Sequence, residues 1–448
     1  MATLVVGASA ALLDTTIVSI ALDELQQQLA ATVGQIQWIT TSYLLAMTAV
    51  IPIVGWTVSR YGDRAMWVTS LTVFLIGSVL CGLAWSAESL IAFRVFQGLG
   101  GGMILPLTQL VLARAAGPGR LGRAMSVVGL IGQLAPVSGP ILGGVLIDGW
   151  GWRWIFLVNI PLCLVSLAMT WRWFPRDRYR HDAPLDVAGL ILLPTATVAL
   201  IYALSTLGQG RGPATWWSLA AGAAMLVVFI LRSVRPGGTA LLDLRLFARR
   251  SFSSPAAMMF IFGVTTWGPM FLLPLYYQQL RGLSALDAGL MLAPQSAGLA
   301  AALLLTGRVA DRVAPRPLAL IGIAIATAGT IPFAFATGHT DTLLLGCALS
   351  VRGIGFGIAS LPITVALYKT LRPEAIPDAT SASNVVQRIG AAAGTAFMAI
   401  ILEASTVGGT TPTAAGFSAA LTWMLVLTVM GLVAAVFLPG RQRRASSC

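Results

Sequence analysis

The chain has 448 residues, of which 57% are hydrophobic and only 10% charged, with a formal net charge of +12. A water-soluble domain carries roughly 25% charged residues, so this composition excludes a soluble globular protein and makes lipid the main solvent. The excess of Lys and Arg matches the basic loops that membrane proteins keep on one side of the bilayer, and no nucleic-acid partner is implied.

Apolar runs of about 20 residues recur along the chain, the signal of membrane-spanning helices. They predict spans over 2–22, 36–56, 66–85, 89–112, 123–147, 153–172, 185–207, 215–234, 252–277, 284–307, 317–337, 341–368, 382–404 and 418–438. The fold class is therefore an all-α polytopic membrane protein with 14 transmembrane helices. The first run lacks a basic start and contains Asp14, so it is not read as a cleavable leader. Span five contains "GQLAPVSGPILGGVL", with Gly132, Pro136, Gly139, Pro140, Gly143 and Gly144. In a soluble helix an interior Gly costs about 1 kcal/mol and an interior Pro about 3 kcal/mol relative to Ala. In lipid, neighbouring helices satisfy the freed backbone groups and small residues let a partner helix approach. Gly139 and Gly143 form one such small pair, and the segment is expected to bend. Span nine ends "WGPMFLLPLYYQQL", where Trp267, Tyr276 and Gln278 suit an amphipathic or cationic ligand. Tyr277 and Gln279 suit an interfacial belt instead.

The loops alternate in charge. Arg60 and Arg64 follow span two, and Arg114, Arg120 and Arg123 surround the loop after span four. Further clusters follow spans six, eight, ten and twelve and close the chain, whereas the opposite side carries Arg153, Arg211 and Arg281. By the positive-inside rule both termini are cytoplasmic, in a multi-pass protein of the cell (inner) membrane.

The chain repeats itself. Gly55, Arg60 and Arg64 in "GWTVSRYGDR" align with Gly307, Arg312 and Arg316 in "GRVADRVAPR" at an offset of 252 residues. A looser match pairs "RVFQGLGGGMILP" in span four with "RGIGFGIASLP" in span twelve. Such repeats mark transporters with a central site between two rocking halves. The expected organisation is a six-helix bundle over 1–173, a linker with two extra helices over 174–250, a second bundle over 251–440 and a tail over 441–448.

A charge at bilayer depth costs at least about 2.5 kcal/mol and is a functional candidate by default. Asp14 and Arg94 reach similar depths from opposite faces, so an ion pair is expected, either coupling proton movement or fixing the packing. Arg352 lies near the middle of span twelve, Arg388 within span thirteen and Glu403 at the outer end of span thirteen. Snorkelling to the interface accounts equally for Arg388, and solvation for Glu403. The scattered cysteines and the distant His181 and His339 have no metal-ligand spacing, and "GLGGGM" lacks the Lys and Ser/Thr of a phosphate loop.

These segments resemble the major facilitator superfamily, specifically its fourteen-span drug:proton antiporter branch. The resemblance rests on "LLDTTIVSIAL", the loop after span two, "RVFQGLGGG", the span-five stretch, "WRWIFLVNIP", "LLDLRLFARRSF" and "LPLYYQQLRGLSALDAGLMLAP", in that order. It implies that Gly132, Pro136, Gly139, Pro140, Gly143 and Gly144 form an antiporter motif. It also implies that Gly55, Arg60, Gly62, Arg64, Asp311 and Arg312 form cytoplasmic gating loops and that Arg388 matches a span-thirteen Arg of the branch, while the depth of Asp14 and Arg94 makes them the candidates for proton coupling. Trp267, Tyr276, Gln278, Arg352 and Glu403 are the candidates for a substrate cavity. The sequence departs from the pattern at Ser59, where the family has Asp, and at Asp23, where it has Pro. The implied function is proton-coupled export of hydrophobic, often cationic, small molecules by alternating access, with export of one metabolite, antibiotic or lipid as the alternative. No cofactor, no metal and no enzymatic activity are expected. The implied partners are small-molecule substrates and the bilayer, with a monomer as the working unit.

Overall fold

The computed structural model describes residues 2–18, 21–116, 120–174, 186–206, 212–234, 244–310, 313–369, 371–407 and 411–438. It is helical apart from a two-stranded antiparallel hairpin, β1 (Thr406–Val407) and β2 (Thr411–Pro412). The first half contains α1 (Ala2–Ile17), α2 (Leu22–Gln28), α3 (Val33–Val50), α4 (Val54–Tyr61), α5 (Asp63–Gly82), α6 (Ala87–Ala116), α7 (Leu121–Trp150), α8 (Trp154–Leu157) and α9 (Asn159–Trp173). Then come α10 (Val187–Thr206) and α11 (Pro213–Ser233). The rest comprises α12 (Arg250–Leu275), α13 (Ala285–Ala310), α14 (Pro315–Ala334), α15 (Thr342–Tyr368), α16 (Ile376–Glu403) and α17 (Ala414–Ala435).

Local chemistry sets several of these boundaries. Thr32 caps α3 in a reciprocal box: Gln35 N–H donates to Thr32 Oγ1 at 3.3 Å, and Thr32 N–H donates to Gln35 Oε1 at 2.8 Å. Pro52 sits in the tight turn Ile51–Ile53 that joins α3 to α4. Gly62, with φ +92°, lets the chain reverse between α4 and α5, a conformation that a Cβ would strain. Past α12 the chain widens into a π-turn over Tyr276–Leu280.

Among the described residues, twelve helices are long and apolar enough to cross a bilayer. A count of fourteen requires α1, with 16 residues, and the 30-residue α7 in addition. Large apolar side chains exposed on the model, such as Trp85, Trp171, Trp217 and Phe335, are what a lipid-facing surface requires.

Helix partnerships recur. In the first half α1 packs on α7 and α9, α3 on α6, and α5 on α6 and α9. In the second half α12 packs on α16 and α17, α13 on α15, and α14 on α15 and α17. Helix α10 leans on α3, on α16 and on α11.

The glycines give the register of this repeat. A Cβ on Gly98 would collide with Tyr43 O at 2.7 Å, and one on Gly353 would collide with the backbone of Gln295. A Cβ on Gly77 would strike Gln97, and one on Gly329 would strike Arg352. Helices α3 and α5 therefore map onto α13 and α14 at an offset of 252, and α6 maps onto α15 at 255. The Arg-to-Arg alignment of spans four and twelve is out by three residues: Arg352 takes the place of Gln97, not of Arg94.

Candidate functional site

Asp14 on α1 and Arg94 on α6 are fully buried at 0% and 1% exposure, so both charges need partners. Arg94 Nη1 donates to Asp14 Oδ2 at 2.6 Å and to Gln97 Oε1 at 2.7 Å. The other carboxylate oxygen, Asp14 Oδ1, accepts from Gln97 Nε2 and from Asn159 Nδ2, each at 2.9 Å. Ser78 Oγ accepts from Gln97 Nε2 at 2.8 Å and from Asn159 Nδ2 at 3.3 Å. The Arg94 guanidinium lies 3.8 Å from the centre of the Tyr43 ring, a cation–π contact that further stabilises the buried charge. Arg94 Nε donates to Ile39 O at 3.4 Å.

Five helices thus converge on one carboxylate: α1, α3, α5, α6 and α9. Gln97 reaches it because it lies one turn from Arg94, on the same face of α6. A proton on Asp14 would discharge the group that balances Arg94 and convert an acceptor into a donor.

A second set of contacts joins the two halves at the arginine-rich end. Gly55 N–H donates to Ser381 Oγ at 2.9 Å, and Asn384 Nδ2 donates to Gln109 Oε1 at 2.8 Å. A Cβ on Gly307, the repeat of Gly55, would lie 2.6 Å from Ser126 Oγ. Arg114 pairs with Asp63 at 2.5 Å beside Gly62. Ser59 Oγ donates to Gly55 O at 3.0 Å, within its own helix. Arg60 lies on α4 and Arg64 on α5, whose Nη2 donates weakly to Trp171 O at 3.5 Å. Asp311 and Arg312 lie outside the described residues.

The span-five motif lies on α7, which is helical throughout. A Cβ on Gly139 would lie 2.8 Å from Thr16 Cβ on α1, two residues from Asp14. Gly143 is buried, whereas a Cβ on Gly132 or Gly144 would meet nothing within 4 Å. The side chains of Pro136 and Pro140 lie outside the described residues. The close approach is therefore made at Gly139, and the motif is not uniform along its length.

The proposed cavity residues do not form one group. Tyr276 is buried against Tyr277 and Phe417, and its hydroxyl donates to Thr337 O at 2.7 Å, so it is committed to packing. An aromatic near a span end reads the same in sequence whether it meets a ligand or a neighbouring helix. Trp267 and Gln278 are exposed and Glu403 ends α16. Arg352 is completely buried: its Nη1 donates to Gln295 Oε1 at 2.6 Å and its Nη2 to Thr265 O at 2.7 Å. Among the described residues no cluster of three His, Cys, Asp or Glu is placed to hold a metal.

Sequence reasoning missed Gln97, Asn159, Ser78 and Tyr43. A neutral amide one turn from a buried Arg, and an Asn inside the apolar "FLVNIP", were the available signals.

The sequence profile of the Major Facilitator Superfamily matches residues 4–395. The "Multidrug resistance protein B homolog" of Mycobacterium tuberculosis (strain ATCC 25618 / H37Rv) is 36% identical over 400 residues, covering 87% of this chain and 73% of that protein. The "Methylenomycin A resistance protein" of Streptomyces coelicolor is 31% identical over 90% of this chain and 85% of its own. Among solved structures, the proton:xylose symporter XylE superposes with a TM-score of 0.65 at 17% identity, covering 97% of this chain and 94% of that one.

Proposed function

The chain belongs to the Major Facilitator Superfamily, and we propose that within this family of membrane transporters it is a proton-coupled exporter of hydrophobic small molecules. The observation that carries the reading is Asp14: a fully buried carboxylate held by hydrogen bonds from Arg94, Gln97 and Asn159. Relatives named for multidrug resistance and for methylenomycin A resistance support export.

In this reading α1 and α7 are spans, giving fourteen, and both termini face the cytoplasm. The two six-helix sets, 1–173 and 251–440, rock about the Asp14 network, and α10 and α11 stand outside them. The Gly55–Ser381 and Gly307–Ser126 contacts close the cytoplasmic end, with Gly62, Arg60, Arg64, Asp311 and Arg312 in the loops that latch it. Protonation of Asp14 frees Arg94 from its counter-charge and favours the alternative packing; loss of the proton restores the arrangement seen here. Gly139 allows α7 to slide against α1 beside that carboxylate.

The test is efflux in everted membrane vesicles over a compound panel, with and without an imposed proton gradient. Gradient-dependent movement of several unrelated hydrophobic compounds is expected. Movement of a single compound would indicate a dedicated exporter, and movement independent of the gradient would overturn proton coupling.

A further inference from the structure

The two halves are electrically unequal at the same depth. In the first half the seat occupied by Gln97 carries a neutral amide, and the neighbouring Arg94 is balanced by Asp14. In the second half that seat is Arg352, and the Arg94 seat three residues earlier is Leu349. The seat of the acid is also traceable. Gly139 packs on Thr16 and Gly394 packs on Val264, so Asp14, two residues before Thr16, corresponds to Phe262, two before Val264. The second half has kept the architecture of the buried network and replaced its carboxylate with a phenyl ring.

Among the described residues, the helices of the second half place no acid at this depth. Helices α12, α14, α15 and α17 contain no Asp or Glu, while those of α13 and α16 (Asp287, Asp378 and Glu403) lie in a first turn or at a final residue. Among the described residues, Arg352 makes no ion pair, and its Nε, although buried, has no hydrogen-bond partner. Its remaining contacts are Gln295 Oε1, Thr265 O and the Phe356 ring, 4.7 Å away. A second arginine lies nearby in depth. Gly263 of α12 packs on Gln387 and Ala391 of α16, which flank Arg388, and Thr265 is two residues further along α12. Arg388 is only half-buried and, among the described residues, also makes no ion pair. Among the described residues, these two guanidiniums therefore face low-dielectric surroundings without a counter-charge. Such a region attracts an anion and repels a cation.

We infer that the second half supplies the recognition site for an acidic group, with Arg388 as its accessible contact and Arg352 as the fixed charge behind it. The exported class is then hydrophobic molecules bearing a carboxylate, not the cations that the aromatic residues of span nine suggest. This inference rests on the export reading above and narrows it.

Two probes test it: a hydrophobic fluorophore bearing a free carboxylate, and the same fluorophore with that carboxylate capped as a quaternary-ammonium ester. Their binding to the purified full chain is measured by fluorescence polarisation, and their efflux is followed in the same everted vesicles. The carboxylate form should bind at least about tenfold more tightly than the cationic form, the scale of one well-placed charge contact. Arg388→Gln should erase that preference and Arg388→Lys should keep most of it. Equal binding of the two probes, or tighter binding of the cation, overturns the inference. If the cation is nevertheless exported with the proton gradient, the export reading stands without it. If the anion binds selectively but neither probe moves, the recognition site stands and the export reading fails. Arg388→Gln protein that keeps its thermal transition and the wild-type preference also overturns the assignment.

Discussion

Gly55 N–H and Ser381 Oγ, 326 residues apart in sequence, meet at 2.9 Å across the two halves of the molecule. The contact has a twin in Gly307 and Ser126, related to the first by the internal repeat. The arginine-rich end is thus closed by small residues pressed against hydroxyls and backbone, supported by the Asn384–Gln109 hydrogen bond.

That closure is expected to fail when bulk is added at Gly55. A Cβ there would lie 3.0 Å from Pro377 O, and a backbone atom cannot swing aside. Gly55→Val should destabilise the closed end by about 1–3 kcal/mol, the usual range for overpacking. A cysteine introduced at Asn384 should then react with an aqueous maleimide at least about tenfold faster than in the parent. Unchanged labelling together with wild-type transport would remove Gly55 from the gate.

Asp14→Asn should abolish efflux against a gradient while leaving membrane levels intact, since an amide occupies the same space but cannot exchange a proton. Asn159→Leu keeps the carboxylate and removes one of its donors. Losing such a hydrogen bond costs about 1–3 kcal/mol, so transport should persist at a reduced rate. Wild-type accumulation by Asp14→Asn vesicles would assign coupling to another group.

The glycine- and proline-rich stretch of α7 should respond to substitution unevenly. Gly139→Leu drives a side chain into Thr16 on α1 and should eliminate most transport, whereas Gly132→Leu enters open space and should preserve it. Comparison at matched protein levels, with thermal melting of each variant, separates lost movement from lost folding. Equal residual activity in the two would make these glycines ordinary packing residues.

The α10–α11 pair should matter for stability more than for transport. A Cβ on Gly222 would lie 3.0 Å from Leu200 N. Gly222→Leu should therefore lower the melting temperature by several degrees, consistent with about 1–3 kcal/mol of overpacking. It should leave the KM for substrate unchanged. A changed KM would place this pair at the transport pathway.

What the sequence disclosed follows from the energetic cost of each feature. Asp14 and Arg94 stood out because a charge in an apolar run is expensive without a role, and Gly55 stood out because its loop repeats. Gln97, Asn159 and Ser381 did not, since a neutral amide or hydroxyl costs little in a helix and discloses no partner. The register of spans four and twelve is hidden for a similar reason: two arginines attract an alignment, but the close-packed glycines around them decide it. Tyr276 reads in sequence as a ligand contact from its aromatic surroundings, since no local pattern indicates its acceptor, Thr337 O, in a distant loop.

The difference between the offsets 252 and 255 has a practical consequence. The three-residue difference falls in one connection, since α5 and α6 are joined by 83–86 whereas α14 and α15 are joined by 335–341. The two connections differ in length while the glycine contacts between the helices keep matching places. The molecule consequently contains its own control experiment. A substitution at Gly77 or Gly98 can be repeated at Gly329 or Gly353, in a matching backbone seat but a different electrostatic setting. The difference between the paired results isolates what the Asp14 network adds to helix packing alone.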